Sequence, residues 1–91
     1  MIKRLAILLI FLGIGFTSNL NSQTSQLGRV FEQANELFKS GKYEEALKKY
    51  DQAIGYSQLY PLFYYNRGLT YYKLGQYQNA INDLNKSLEL E

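Results

Sequence analysis

Apolar residues recur along the chain from residue 27 onward at the three- and four-residue intervals of one helix face. The first stripe comprises Leu27, Val30, Phe31, Ala34, Leu37 and Phe38. The second comprises Tyr43, Ala46, Leu47, Tyr50, Ala53 and Ile54. Two more follow Pro61: first Tyr64, Tyr65, Gly68, Leu69, Tyr71 and Tyr72, then Tyr77, Ala80, Ile81, Leu84 and Leu88. The pattern predicts four amphipathic helices joined by short turns, and therefore an all-α fold.

The chain also repeats itself with a period of 34 residues. The stretch "SGKYEEALKKYDQAI", residues 40–54, returns as "LGQYQNAINDLNKSL", residues 74–88. Gly41 thus corresponds to Gly75, and the tyrosine and alanine that follow it recur in register. Because glycine adopts the left-handed conformation that closes many helices, each copy is predicted to contain a helix, a turn and a second helix.

This arrangement resembles the tetratricopeptide repeat family. The resemblance rests on the 34-residue period, on "GKY" and "GQY" at the turns, and on the stretch "YYNRGLTYYKLGQYQNAINDLNKSLEL". It implies two stacked helix-turn-helix units that form the start of an α-solenoid. We expect repeat 1 at residues 27–60 and repeat 2, incomplete at its C-terminal end, at residues 61–91.

The resemblance also implies a concave groove, lined by the first helix of each unit, that binds a partner peptide or helix. Carried over by position, the lining is Phe31, Asn35, Phe38, Lys39, Leu62, Tyr65, Asn66, Leu69, Tyr72 and Lys73. Asn35 and Asn66 stand 31 positions apart, the spacing found in family members that clamp the terminal carboxylate of a peptide. Phe31 departs from that pattern, because the clamp has a lysine there.

The last helix raises a separate expectation. Repeats of this kind bury their apolar faces on their neighbours, and two units leave one face without a neighbour. Ile81, Leu84 and Leu88 are therefore expected to form an exposed edge. Three explanations stay open: the chain is a fragment of a longer array, it self-associates as a homo-oligomer, or it docks on another protein.

The N-terminal residues have the layout of a secretory signal peptide. Lys3 and Arg4 precede an apolar run that continues to Phe16, shorter than a permanent membrane span requires. We expect residues 1–22 to be removed after Ser22, residues 23–26 to form a flexible lead, and the protein to be exported to the periplasm or secreted. The alternative is a retained anchor, which would make the protein a membrane-anchored adaptor.

Composition narrows the possible functions. The chain has ten Lys and Arg residues and eight Asp and Glu residues, and cleavage after Ser22 would leave eight of each. Nucleic acid is not expected as a partner, because a domain without net positive charge lacks the electrostatic attraction to phosphates on which such binding depends. The chain has no histidine or cysteine, so neither a metal nor another cofactor is expected.

The carboxylates show no spacing that indicates catalysis. They include Glu32, Glu36, Asp51 and Asp83, which we interpret as solubilising surface charge. Most of the nine tyrosines lie on the apolar stripes, and Tyr43 and Tyr77 are expected to fill gaps between helices. The sequence therefore predicts an interaction module that is not an enzyme.

Overall fold

The computed structural model describes residues 25–91 and contains helices in this part of the chain, with no strand. Helix α1 is described over residues 25–39 and α2 over Tyr43–Tyr56. Helix α3 spans Pro61–Lys73 and α4 spans Tyr77–Leu90. The all-α prediction is confirmed. Residues 25 and 26, assigned from the sequence to a flexible lead, are already helical, and the predicted signal peptide lies outside the described residues.

The two helical hairpins close with the same turn. Gly41 and Gly75 have φ values of +77° and +78°, in the left-handed region that favours glycine. After each glycine, the next backbone N–H donates to a carbonyl five residues earlier: Lys42 to Leu37 and Gln76 to Tyr71, both at 2.9 Å. These bonds satisfy carbonyls at the helix ends that would otherwise lack a partner.

The main core joins the two hairpins. One cluster of buried side chains comes from α1, α2 and α3 and comprises Leu27, Val30, Ala53, Ile54, Phe63 and Tyr64. A second cluster, Ala34, Ala46 and Tyr50, lies between α1 and α2. Because the first cluster takes residues from both repeats, burial of apolar surface holds the hairpins side by side.

Within the second hairpin, α3 and α4 approach closely at Gly68. A Cβ atom added to Gly68 would lie 3.2 Å from both the Asp83 Cβ and the Leu84 Cγ, and 3.3 Å from the Ala80 carbonyl oxygen. These distances are shorter than ordinary van der Waals contact. The absence of a side chain at residue 68 therefore permits this spacing of the helices.

Helix α4 turns a different face inward from the one its apolar stripe indicates. Its buried residues are Ala80, Asp83 and Ser87, while Ile81 and Leu88 are 51% and 66% exposed. Leu84 is half-buried beside Gly68 and does not belong to the exposed edge predicted for it. The assignment of Asp83 to solubilising surface charge is wrong, since its carboxylate pairs with Arg67 of α3.

Tyr43 and Tyr77 lie just after the turn glycines, at the first residue of α2 and of α4. Each ring packs against an aromatic residue of the preceding helix across the glycine turn. Tyr43 meets Phe38 with ring centroids 5.3 Å apart, and Tyr77 meets Tyr72 at 5.6 Å. Tyr77 is 60% exposed. Both rings therefore pack against the antiparallel partner helix next to the turn, as expected, and the ring of Tyr77 does so at the surface.

Among residues 25–91, no helix combines the length and the apolar character needed to cross a membrane.

Candidate functional site

A pocket of about 300 Å³ lies where α1, α2 and α3 meet. We call it the groove pocket, and its lining residues are Asn35, Phe38, Lys39, Tyr50, Asn66 and Leu69. The first three belong to α1, Tyr50 to α2, and the last two to α3. The stacking of the two hairpins thus forms a cavity that neither hairpin encloses alone.

Two asparagine side chains meet in this pocket. The Asn66 Nδ2 donates a hydrogen bond of 3.0 Å to the Asn35 Oδ1. The Tyr50 hydroxyl donates to the same oxygen. These bonds connect all three helices and fix the orientation of both amides, so the polar groups are in place before any ligand arrives.

The hydrogen bonds leave specific atoms available. An asparagine side chain has two N–H donors and one carbonyl acceptor. Within residues 25–91, neither the amide nitrogen of Asn35 nor the amide oxygen of Asn66 bonds another residue. The pair therefore retains both donor and acceptor capacity.

The Tyr50 side chain forms the buried end of the network. Only 1% of Tyr50 is exposed. Burial raises the pKa of the Tyr50 hydroxyl above its ordinary value, while the side-chain amide of Asn66 lowers it in part by hydrogen bonding. The hydroxyl consequently remains a protonated donor at neutral pH and holds the Asn35 oxygen.

Five of the ten predicted groove residues line this pocket: Asn35, Phe38, Lys39, Asn66 and Leu69. Phe31 is half-buried and packs on Phe63, with ring centroids 4.8 Å apart. Residue 31 is thus a packing residue and supplies no cation next to Asn35. Tyr72 and Lys73 are exposed beyond the pocket.

Two further residues that were predicted to line the groove, Leu62 and Tyr65, line a different cavity. It measures about 450 Å³ and is lined by Pro61, Leu62, Tyr65, Ser87 and Glu91, at the far side of the second hairpin. We call these residues, together with Leu88, the open flank. The sequence could not separate the two cavities, because aromatic residues occur on nearly every face of α3.

Tyr50 is the pocket residue that sequence reasoning missed. It was assigned to an apolar stripe as a packing residue, and its ring is indeed buried. A signal was present nonetheless: a buried tyrosine hydroxyl normally has a hydrogen-bond partner, and Asn35 of the facing helix adjoins Ala34, which packs in the same buried cluster as Tyr50.

A second polar cluster surrounds Arg67. Its guanidinium donates to both oxygens of Asp83, at 2.7 and 2.8 Å, and to Asp51 at 3.1 Å. It also lies 5.6 and 5.7 Å from the ring centroids of Tyr64 and Tyr71. Hydrogen bonding to Asp83 raises the pKa of Arg67 above its ordinary value. This cluster links α2, α3 and α4, and it explains why Asp83 faces inward.

In residues 25–91, no group of three or more potential metal ligands occurs. The polar groups of the groove pocket are amides, a phenol and one lysine. This set is suited to hydrogen bonding with a ligand, and contains no carboxylate or imidazole for acid–base chemistry.

Several curated proteins resemble this chain over about 60 residues. The human mitochondrial import receptor subunit TOM34 is 38% identical over 66% of the chain and 19% of its own length. The wheat (Triticum aestivum) Hsp70-Hsp90 organizing protein is 40% identical over 66% of the chain and 10% of its own length. Human serine/threonine-protein phosphatase 5 is 39% identical over 65% of the chain and 12% of its own length. The chain thus spans a fifth or less of these relatives.

These relatives contradict the predicted export. A mitochondrial import receptor subunit and an Hsp70-Hsp90 organizing protein are not named as periplasmic or secreted proteins. The export prediction rested on the apolar run near the N-terminus, and those residues lie outside the described part of the chain. The prediction that the protein is periplasmic or secreted is therefore wrong.

Two family models match the chain in the same region as the hairpins. One, described as "TPR repeat", matches residues 34–75, and the other, described as "Tetratricopeptide repeat", matches residues 61–91. The second match covers α3, the glycine turn and α4. Residues 34–91 of this chain therefore belong to the tetratricopeptide repeat family.

Proposed function

We propose that this chain is a protein-interaction module that binds an extended segment of a partner protein in the groove pocket. The observation that carries the proposal is the pair of fixed amides, Asn35 and Asn66, in a pocket that is also lined by apolar side chains. In this proposal repeat 1 occupies residues 27–60 and repeat 2 residues 61–91, and the groove pocket lies where they meet.

The available atoms of the amide pair suit a peptide bond. Each peptide unit presents one N–H donor and one C=O acceptor. The Asn35 nitrogen can donate to a peptide carbonyl, and the Asn66 oxygen can accept from a peptide N–H. Recognition of backbone groups orients an extended segment without requiring a particular side chain at that point.

The remaining lining residues favour certain neighbours of that peptide bond. Phe38 and Leu69 supply apolar contact surface, and Lys39 supplies an exposed ammonium group. An apolar side chain of the partner would lose contact with water between Phe38 and Leu69. An acidic group beside it would be attracted to Lys39, although solvent weakens that attraction.

The names of the relatives support a role in handling other proteins. One is an import receptor subunit and another is an organizing protein for Hsp70 and Hsp90. The phosphatase carries no argument for catalysis, because the chain matches only 12% of it. We propose binding without chemistry.

The proposal can be tested with a library of short unstructured peptides selected on the full chain. The affinities of the recovered peptides are then measured against Asn66→Leu, which removes the amide and nearly preserves volume. We expect at least about a tenfold loss of affinity, since the buried partner groups lose a hydrogen bond. Circular dichroism establishes that the variant remains helical.

A Leu88→Lys variant serves as the matched control, because Leu88 is exposed on the open flank, outside the groove pocket. Peptides that bind in the groove pocket should bind this variant with unchanged affinity. The proposal fails if selected peptides tolerate Asn66→Leu, or if the library yields no peptide that binds the folded chain.

A further inference from the structure

The two available atoms of the amide pair are accessible and have opposite hydrogen-bonding character. Among residues 25–91, no buried side-chain nitrogen or oxygen atom lacks a hydrogen-bond partner. The Asn35 nitrogen and the Asn66 oxygen make no hydrogen bond with these residues, and both asparagines are half-buried. Both atoms are therefore in contact with solvent. A ligand in the groove pocket meets a donor carried by α1 and an acceptor carried by α3.

The Tyr50 hydroxyl determines which atom of Asn35 is available. The Asn35 oxygen accepts from Tyr50 and from Asn66, so both of its lone pairs are used. A half turn of the amide would bring the Asn35 nitrogen to these two donors and leave both without their acceptor. Because Tyr50 is buried, water could not take the place of that acceptor. The buried hydroxyl thus keeps the nitrogen of Asn35 available to a ligand.

The polarity of the amide pair can be compared with that of an extended polypeptide. In an extended chain, the N–H and C=O groups of one residue point to the same side, and the N–H comes first along the chain. The Asn66 oxygen can accept from the N–H of such a residue, while the Asn35 nitrogen donates to its C=O. The N-terminal side of that residue then lies toward α3, and its C-terminal side lies toward α1.

We propose that the amide pair fixes the chain direction of the bound segment, which runs from α3 to α1, and that Tyr50 sets this direction. The inference rests on the proposed function and adds how the segment lies in the groove pocket. Because α1 precedes α3 in the protein, the bound segment runs opposite to the order of the repeats. Tyr50 is a positioning residue, since it acts on the ligand through Asn35.

A segment bound in the reverse direction would lose both hydrogen bonds. Its C=O would face the Asn66 oxygen, which is also an acceptor, and its N–H would face the Asn35 nitrogen, which is also a donor. Leaving such groups unpaired in a partly desolvated site costs more than a formed hydrogen bond contributes. We expect a preference of at least about tenfold for the direction from α3 to α1.

A larger cavity adjoins the groove pocket on the side of α1. It measures about 960 Å³, shares Asn35 and Lys39 with the groove pocket, and is lined by residues of α1 and α2. Its charged lining residues are three cations and three carboxylates: Arg29, Lys39, Lys49, Glu32, Glu36 and Glu45. The C-terminal part of the segment therefore has room to continue past Asn35, over a surface with no excess of either charge.

The direction can be tested by disulfide capture, because the chain has no cysteine and a single introduced thiol is unique. Glu36→Cys places the thiol on α1, one residue after Asn35, and Tyr65→Cys places it on α3, one residue before Asn66. Both positions are exposed. The probe is the shortest form of the tightest-binding library peptide, with capped ends and a cysteine added at its first or its last position. Mass spectrometry after equilibration in a glutathione buffer measures capture by each variant of the full chain.

Glu36→Cys should capture the peptide with the C-terminal cysteine at least about tenfold more than the peptide with the N-terminal cysteine. Tyr65→Cys should show the opposite preference. Tyr50→Phe, added to Glu36→Cys, keeps the buried ring and removes only the hydroxyl. It should lower the preference by about threefold or more, because the Asn35 amide is then free to turn. Tyr77→Phe is the matched control, since Tyr77 is exposed at the start of α4, and it should leave the preference unchanged.

Two results would overturn the proposal while the proposed function stands. A reversed preference, or equal capture of the two peptides at both positions, would overturn the chain direction. An equal preference in Tyr50→Phe and Tyr77→Phe, with both shown to be folded by circular dichroism, would overturn the role of Tyr50. Either result is compatible with a peptide whose affinity falls in Asn66→Leu. If no library peptide binds the folded chain, the proposed function fails and the chain direction fails with it.

Discussion

Residue 68 shows how one missing side chain sets the spacing of two helices. Gly68 faces Ala80 and Leu84 across the α3–α4 contact, where only 3.2 Å would separate an added Cβ from the Leu84 Cγ. Glycine lowers helix stability in isolation, so its presence in the middle of α3 is explained by packing. By contrast, Gly28 of α1 would have no neighbour within 4 Å of an added Cβ.

Replacement of Gly68 by valine is therefore expected to destabilise the protein by about 1–3 kcal/mol, because the helices must move apart. Urea unfolding followed by circular dichroism measures the change. Gly28→Val is the matched control and should be neutral or slightly stabilising, since valine has the higher helix propensity and meets open space. Equal losses in the two variants would contradict this explanation.

At the scale of the helices, Arg67 determines which side of α4 faces α3. Its bidentate pair with Asp83 lies in a partly buried site, where the side chains of Arg67 and Asp83 are 19% and 8% exposed. Asp51 on α2 joins the same guanidinium but is 52% exposed. The two aspartates bond the same guanidinium, one in a buried and one in an exposed environment. Their contributions to the free energy of unfolding can therefore be compared directly.

We expect Asp83→Asn to lower the free energy of unfolding by about 2–3 kcal/mol, because it leaves a partly buried guanidinium without its main partner. Asp51→Asn should cost less than about 1 kcal/mol, as is typical of a solvent-exposed ion pair. Denaturant unfolding of the two variants at low and high salt gives the comparison. A larger effect at Asp51 would show that the link to α2 dominates.

The sequence predicted the helices well because their signals are local. The apolar period and the two turn glycines depend on residues close together in the chain, and both turns formed as expected. The orientation of α4 was less predictable, since Asp83 turns inward only through Arg67, sixteen residues away. The groove pocket was predicted in part: Asn35 and Asn66 were identified, but the network in which Asn35 accepts from both Tyr50 and Asn66 requires three helices to assemble.

At the scale of the whole molecule, the two repeats are similar in backbone and different in environment. Repeat 1 is covered by repeat 2 on one side, so its second helix buries Ile54. The corresponding side of repeat 2 is exposed within the described residues. Equivalent positions in the period therefore make unequal contributions to stability.

The same substitution at two equivalent positions should reveal this difference. Ile54→Lys places an ammonium group in the buried cluster and should cost about 3 kcal/mol or more, enough to unfold much of a small domain. Leu88→Lys, one period later, should change stability by no more than about 0.5 kcal/mol. Thermal unfolding measures both. A strong loss at Leu88 would mean that the flank is already covered in solution.

The asparagine pair has a further consequence for how a ligand is held. One period after Asn35 stands Leu69, so the second repeat does not reproduce the amide at that position. A bound chain that slid along the solenoid by one repeat would exchange a hydrogen-bonding site for an aliphatic one. A single pair of side chains can thus fix the position of a bound peptide along the groove, even when the peptide's own side chains do not specify that position.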